Sequence, residues 1–142
     1  VTLYQIIPRY VRKRHPDHPA IDLNAHLDEF NRVIIELARK NKIETADLRT
    51  TMKCCGGVDE SEKSPVRNEN NSGAEDGVHL TPEGYRKMAE LIYDILKEKV
   101  KRGDKIVCFG DSVTYGVHVQ GAGTATGDTY PGRLYELLNK KA

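Results

Sequence analysis

Residues 105–116 read KIVCFGDSVTYG. The run KIVCF, 105–109, is apolar and rich in β-branched and aromatic side chains, which predicts a buried strand. It feeds directly into Gly110, Asp111 and Ser112. Parallel α/β sheets gather their ligands at the carboxyl ends of strands, and Gly110 allows a sharp turn there. Ser112 therefore stands where such a sheet places chemistry. The same three residues also suit an ordinary strand-to-helix turn with no chemical role.

Working upstream, KRGD at 101–104 is a turn. Before it, a helix is expected from Pro82 to about residue 100. Thr81 is its N-cap, Pro82 its first residue, and Glu83 lies in its first turn. Its apolar face is Tyr85, Met88, Ala89, Ile92, Ile95 and Leu96. Downstream, 116–128 is a glycine-rich loop. A last helix follows, capped by Asp128 or Thr129, with Pro131 near its start and Leu134, Leu137 and Leu138 inward. In the N-terminal half, VTLYQII at 1–7 predicts a second strand ending at Pro8. Residues 8–20, with three prolines and many charges, predict an exposed loop. A helix over 21–41 carries Leu23, Leu27, Phe30, Val33, Ile34 and Leu37 on one face, and cations near its end complement the helix dipole. Residues 42–48 predict a short strand, and 53–75 a long polar loop. Strands alternating with helices make the expected fold class α/β, three layers around a parallel sheet, as one domain or a large fragment of one over 1–142.

Composition narrows the function. Of 142 residues, 38% are apolar and 30% charged, and 22 Lys+Arg against 21 Asp+Glu leave a net charge of +1. Near-neutrality argues against a nucleic-acid binder and against an acidic disordered tail. No apolar run is long enough to span a membrane, and the basic cluster follows the apolar N-terminal stretch, the reverse of a secretory signal. A cytoplasmic location is the expectation. Three cysteines, with Cys54 and Cys55 adjacent, make no disulfide framework.

The second chemical segment is DGVHLTPEGY, 76–85. A serine hydroxyl is a weak nucleophile near neutral pH. It needs a base to take its proton, and that base needs a partner that fixes its tautomer. Asp76 and His79, three residues apart before a capped helix, are candidates for both roles. They are equally compatible with a local turn and a surface histidine.

Together, FGDSVTYG (109–116) and DGVHLTPEGYRKMAELI (76–92) resemble the serine block and the Asp-x-x-His block of the GDSL esterases, also called SGNH hydrolases. YPGRLYELL at 130–138 resembles the helix after the serine block. VTLYQIIPR resembles the strand and proline after the family's third block. The resemblance implies a flavodoxin-like α/β/α sheet and a serine esterase acting on short-chain acyl, in particular acetyl, esters of small molecules or glycans. It implies Ser112 as nucleophile, His79 as general base and acid, and Asp76 as its orienter. The N–H of Ser112, supported by Gly110 and Asp111, would serve the oxyanion. No cofactor or metal is implied.

The chain departs from the family twice. The Asp-x-x-His block precedes the serine block, a circularly permuted order. The two middle blocks, which bring a glycine N–H and the asparagine of Gly-x-Asn-Asp to the oxyanion hole, are missing. Asn31 falls in a helix, and Asn68, Asn70 and Asn71 fall in the polar loop. Two strand–helix units amount to about 60 residues. The empty slot is expected to be filled by another copy or a complementing segment, to belong to a longer protein, or to vanish by reordering of the sheet. The alternative function is a non-catalytic fragment or interaction module. His15 and His18 have a spacing a metal site uses, but proline-rich surroundings favour a solvated loop. Cys54-Cys55 lacks the Cys-x-x-Cys of redox pairs. RYVRKRH, 9–15, is a cationic patch suited to steering an anionic substrate or simply to solvation. The glycines at 116, 121, 123 and 127 lack the Gly-Lys-Ser/Thr of a P-loop. They fit an active-site rim, with His118 a substrate-side or surface residue.

Overall fold

In the computed structural model, which describes residues 1–17, 21–54 and 56–140, the elements are all helical. In chain order they are α1 (Pro8–Arg14), α2 (Leu23–Lys40), α3 (Leu48–Cys54), α4 (Glu69–Ser72), α5 (Pro82–Leu96), α6 (Ser112–Tyr115) and α7 (Tyr130–Asn139). No sheet forms among the described residues, so the expected three-layer α/β/α fold with a parallel sheet is overturned. The chain divides into two compact units, Val1–Val78 and His79–Ala142.

In the first unit, residues 1–7 run straight without turn or bend, as a strand would, but no strand lies beside them. Two asparagines of α2 stand in for one. Asn31 accepts from the Leu3 N–H at 2.6 Å and donates to the Leu3 carbonyl at 2.8 Å. Asn24 does the same for Ile6 at 3.0 and 3.1 Å. A primary amide carries the same donor and acceptor as a peptide group, so each side chain satisfies one residue of main chain. Thr2 N–H donates to the Ala46 carbonyl at 2.9 Å, and Ile7 N–H to the Gly77 carbonyl at 2.8 Å. Tyr4, Ile7, Tyr10, Leu48, Met52 and Val66 form the buried core of this unit.

The helix expected over 21–41 is α2, capped by Asp22, whose carboxylate accepts from the N–H of Asn24 and Ala25. Its predicted apolar face is not buried. Phe30 is 60% exposed, with Val33 and Leu37 also exposed, and the buried residue of α2 is Asn31. The proline-rich segment read as a loop begins with α1. Pro8 occupies the first turn, where a missing N–H costs nothing, and Arg12, Lys13 and Arg14 lie in the last turn. Residues 42–48 are no strand: they lead into α3. The polar stretch 53–75 contains α4, where Asn68 and Asn71 form a reciprocal cap.

In the second unit, α5 starts as expected, with the Thr81 hydroxyl accepting from the Gly84 N–H at 3.1 Å. It buries Tyr85, Met88 and Ala89 and packs against α7. Of the two candidate caps for α7, Thr129 serves, accepting from Gly132 N–H at 3.0 Å, while Asp128 pairs with Arg133. Leu134 is buried. Gly132 permits this start, since a Cβ there would lie 2.6 Å from the Thr126 carbonyl carbon. The run 105–109 is straight but unpaired among the described residues: Val107 and Phe109 are 77% and 97% exposed, so it is not the buried strand predicted. Its alternate residues Ile106 and Cys108 line a cavity of about 700 Å³ with Pro131, Leu134 and Leu138. The physical reason for the missing sheet is that a parallel strand needs another main chain beside it to supply ladder hydrogen bonds, and among the described residues neither 1–7 nor 105–109 has one.

Candidate active site

Ser112 is the first residue of α6, a single turn that the sequence closes at both ends. Asp111 accepts from the Val113 N–H at 2.9 Å, and Gly116 ends the turn at φ +78°. Gly110 fits because a Cβ there would stand 2.1 Å from the Thr114 hydroxyl. Ser112 is thus exposed on a tightly specified turn. His79, half-buried ahead of the α5 cap, brings Nε2 to 3.1 Å from Ser112 Oγ. That is hydrogen-bond distance for a base and a hydroxyl nucleophile.

The sequence reads His118 as a substrate-side or surface residue of a glycine-rich rim, without pairing it with His79. Its ring meets that of His79 edge-on, with centroids 5.2 Å apart at 85°. Its φ of +70° is uncommon for a residue with a side chain and marks local strain in the glycine-rich loop. The loop itself is closed by Gly123 N–H to Tyr115 O at 2.6 Å and Asp128 N–H to Gln120 O at 2.8 Å. Below it, burial pushes the Tyr130 hydroxyl up to about 12, against a lowering contact from Thr114.

Asp76, at the end of the first unit, is buried and engaged. One carboxylate oxygen accepts from the Val78 N–H at 3.0 Å, and the other lies 3.6 Å from Arg67 Nε. Arg14 donates to the carbonyls of Glu75 and Asp76, both at 2.7 Å. Gly77 turns the chain at φ +77°, where a Cβ would lie 2.8 Å from the Ile7 carbonyl oxygen. Arg14 and Arg67 hold the loop that carries Asp76; Arg14 belongs to the cationic patch, whereas no sequence signal singled out Arg67. The RYVRKRH patch is largely committed in this way. Arg9 pairs with Glu60, Lys13 pairs with Glu75, and Arg12 bonds the Ile21 carbonyl.

The asparagine amides are also committed within the first unit. Asn31 donates to Leu3, Asn68 to Asp59, Ser61 and Val66, Asn70 to Glu60, and Asn71 to Ser64 and Val66. His15 closes α1 through its backbone N–H; His18 and Cys55 lie outside the described residues, and Cys54 is exposed. No helix among the described residues is long and apolar enough to cross a membrane.

No curated protein and no solved structure matches the chain. The sequence model of one family does, over residues 16–92, more than half of the 142. That span contains Asp76, His79 and most of α5, and stops short of Ser112. By that match, the chain belongs to the GDSL-like lipase/acylhydrolase family.

Proposed function

We propose that the protein is a serine esterase that hydrolyses short-chain acyl esters, in particular acetyl esters of small molecules or glycans, through an acyl-enzyme. The observation that carries this reading is the 3.1 Å approach of His79 Nε2 to Ser112 Oγ. Family membership supports hydrolysis of an acyl bond.

In the proposed mechanism His79 takes the hydroxyl proton as Ser112 Oγ attacks the ester carbonyl. The tetrahedral oxyanion forms beside the Ser112 N–H, with Gly110 and Asp111 fixing that turn. His79 returns its proton to the leaving alkoxide, and the acyl group stays on Oγ. Water, deprotonated by the same histidine, then releases the acid. Asp76, three residues before His79 in the chain, is the carboxylate assigned to orient it. One oxyanion donor typically accounts for about 10²–10³ in rate. With the asparagine amides engaged elsewhere, turnover is expected to be slow by at least that factor relative to a complete hole.

The engaged amides also favour a second reading, a non-catalytic interaction module that keeps Ser112, His79 and Asp76 without the full hole. Hydrolysis of p-nitrophenyl acetate by the pure chain separates the two. Turnover above background that disappears in both Ser112→Ala and His79→Gln supports the esterase. Background rates in the wild-type chain, unchanged in Ser112→Ala, refute it.

A further inference from the structure

Residues 104–110 run without turn or bend, and within them 105–110 make no main-chain hydrogen bond to another described residue. Side chains alternate as on an extended chain: Ile106 and Cys108 face the α7 cavity, while Val107 and Phe109 are 77% and 97% exposed. A row of free N–H and C=O groups flanked by large apolar side chains is a template for strand addition.

The charges on this segment select its partner. Lys105 and Asp111 stand three residues to either side of Cys108, and the segment between them is uncharged. Two copies laid antiparallel about Cys108 bring Lys105 of each opposite Asp111 of the other. The same register sets Val107 against Phe109 twice, a β-branched and aromatic pairing that stabilises cross-strand neighbours. Ile106 then faces Gly110, which leaves its side chain room. A slip of one residue places Asp104 against Asp111, like charge on like charge, and exchanges the two faces. The segment carries no net charge, so two copies approach without repulsion.

We infer that 105–111 is a self-complementary edge that pairs antiparallel with the same segment of a second copy of this chain, in a two-fold dimer centred on Cys108. About eight main-chain hydrogen bonds close in this register when Cys108 occupies a position without main-chain bonds. Such positions hold opposed Cα atoms about 4.5 Å apart, within the range a disulfide spans. The two-fold symmetry makes every contact occur twice. The inference does not rest on the esterase reading.

The test uses the full chain with Cys54 and Cys55 changed to serine, leaving Cys108 as its cysteine. Sedimentation velocity from about 1 to 200 μM reads the association. Copper(II)-phenanthroline then supplies the oxidant: two Cys108 thiols release two protons to water and pass two electrons to two Cu(II), giving one disulfide and two Cu(I). The expected results are a concentration-dependent dimer and a Cys108–Cys108 cross-link in peptide mass spectrometry. Lys105→Glu sets like charges opposite Asp111 and is expected to weaken the dimer by at least about tenfold, while Lys105→Arg keeps it. Circular dichroism verifies that each variant is folded. A chain that stays monomeric to 200 μM overturns the inference. So does a dimer that Lys105→Glu leaves intact or that yields no Cys108 cross-link, outcomes that place the contact on another face, such as exposed Phe30, Val33 and Leu37 of α2.

Discussion

Phe30 and Asn31 are neighbours on α2, and the pair discriminates sharply between an amphipathic-face account of that helix and the amide-clamp account. If Phe30 were a core residue, Phe30→Ala would cost about 3–5 kcal/mol, and Asn31→Ala, on the polar side, almost nothing. The structure reverses both. Phe30 is 60% exposed, so its truncation removes little buried surface, and alanine favours the helix by a few tenths of a kcal/mol. Its expected effect is within about 0.5 kcal/mol of zero. Asn31 is 6% exposed and holds both main-chain groups of Leu3. Two hydrogen bonds contribute about 1 kcal/mol each, and an N–H and a C=O left part-buried without partners cost up to about 1 more. The helix-propensity gain of alanine offsets about 0.5. Asn31→Ala is therefore expected to destabilise by about 2 kcal/mol. Urea unfolding followed by far-ultraviolet circular dichroism measures both variants against wild type. Asn31→Asp adds a control: it keeps the acceptor for the Leu3 N–H but sets a carboxylate oxygen against the Leu3 carbonyl, and should be at least as damaging. A result with Phe30→Ala the costlier of the two would refute the clamp.

Other expectations follow from the same geometry. Gly77→Ala is expected to lower stability by more than about 1 kcal/mol, because φ +77° disfavours a side chain and its Cβ meets the Ile7 carbonyl oxygen; thermal unfolding reads it. Gly110→Ala should displace Thr114 and the turn under Ser112, so ester turnover falls while the urea midpoint moves little. For alkaline pH, Tyr130 titrates near 12 when folded and near 10 when unfolded. Its contribution is fully present below pH 10 and is lost as pH rises through 12, since ionising the buried phenol favours the unfolded chain. Stability measured across that window should fall less steeply in Tyr130→Phe than in wild type.

Much of the second unit was legible in the sequence. Thr81-Pro82 and Thr129-Tyr130-Pro131 mark helix starts through local chemistry, a hydroxyl capping an N–H and a proline where no N–H is needed, and both helices begin where those signals put them. The turn at 101–104 and the glycine-bounded turn at Ser112 are local in the same way. In the first unit, Pro8 was the same signal read as a breaker, because two further prolines and a run of charges followed it. Ser112, His79 and Asp76 were legible in the sequence as candidates. The proximity of His118 to His79 was not, because it depends on a loop that returns through several positive-φ positions.

Local sequence settles the caps, the turns and the family of the chain, and it names the candidate site residues. These are either properties of a few adjacent residues or patterns of identity along the chain. Whether VTLYQII and KIVCF become strands was decided by tertiary structure alone. Strand character in 1–7 and 105–109 describes side chains that suit a sheet, but a sheet exists only when another main chain supplies the hydrogen bonds. For residues 1–7 that supply comes instead from Asn24, Asn31, Ala46 and Gly77. For 105–109 no other described residue supplies it, and the segment is left straight, apolar and open along its edge.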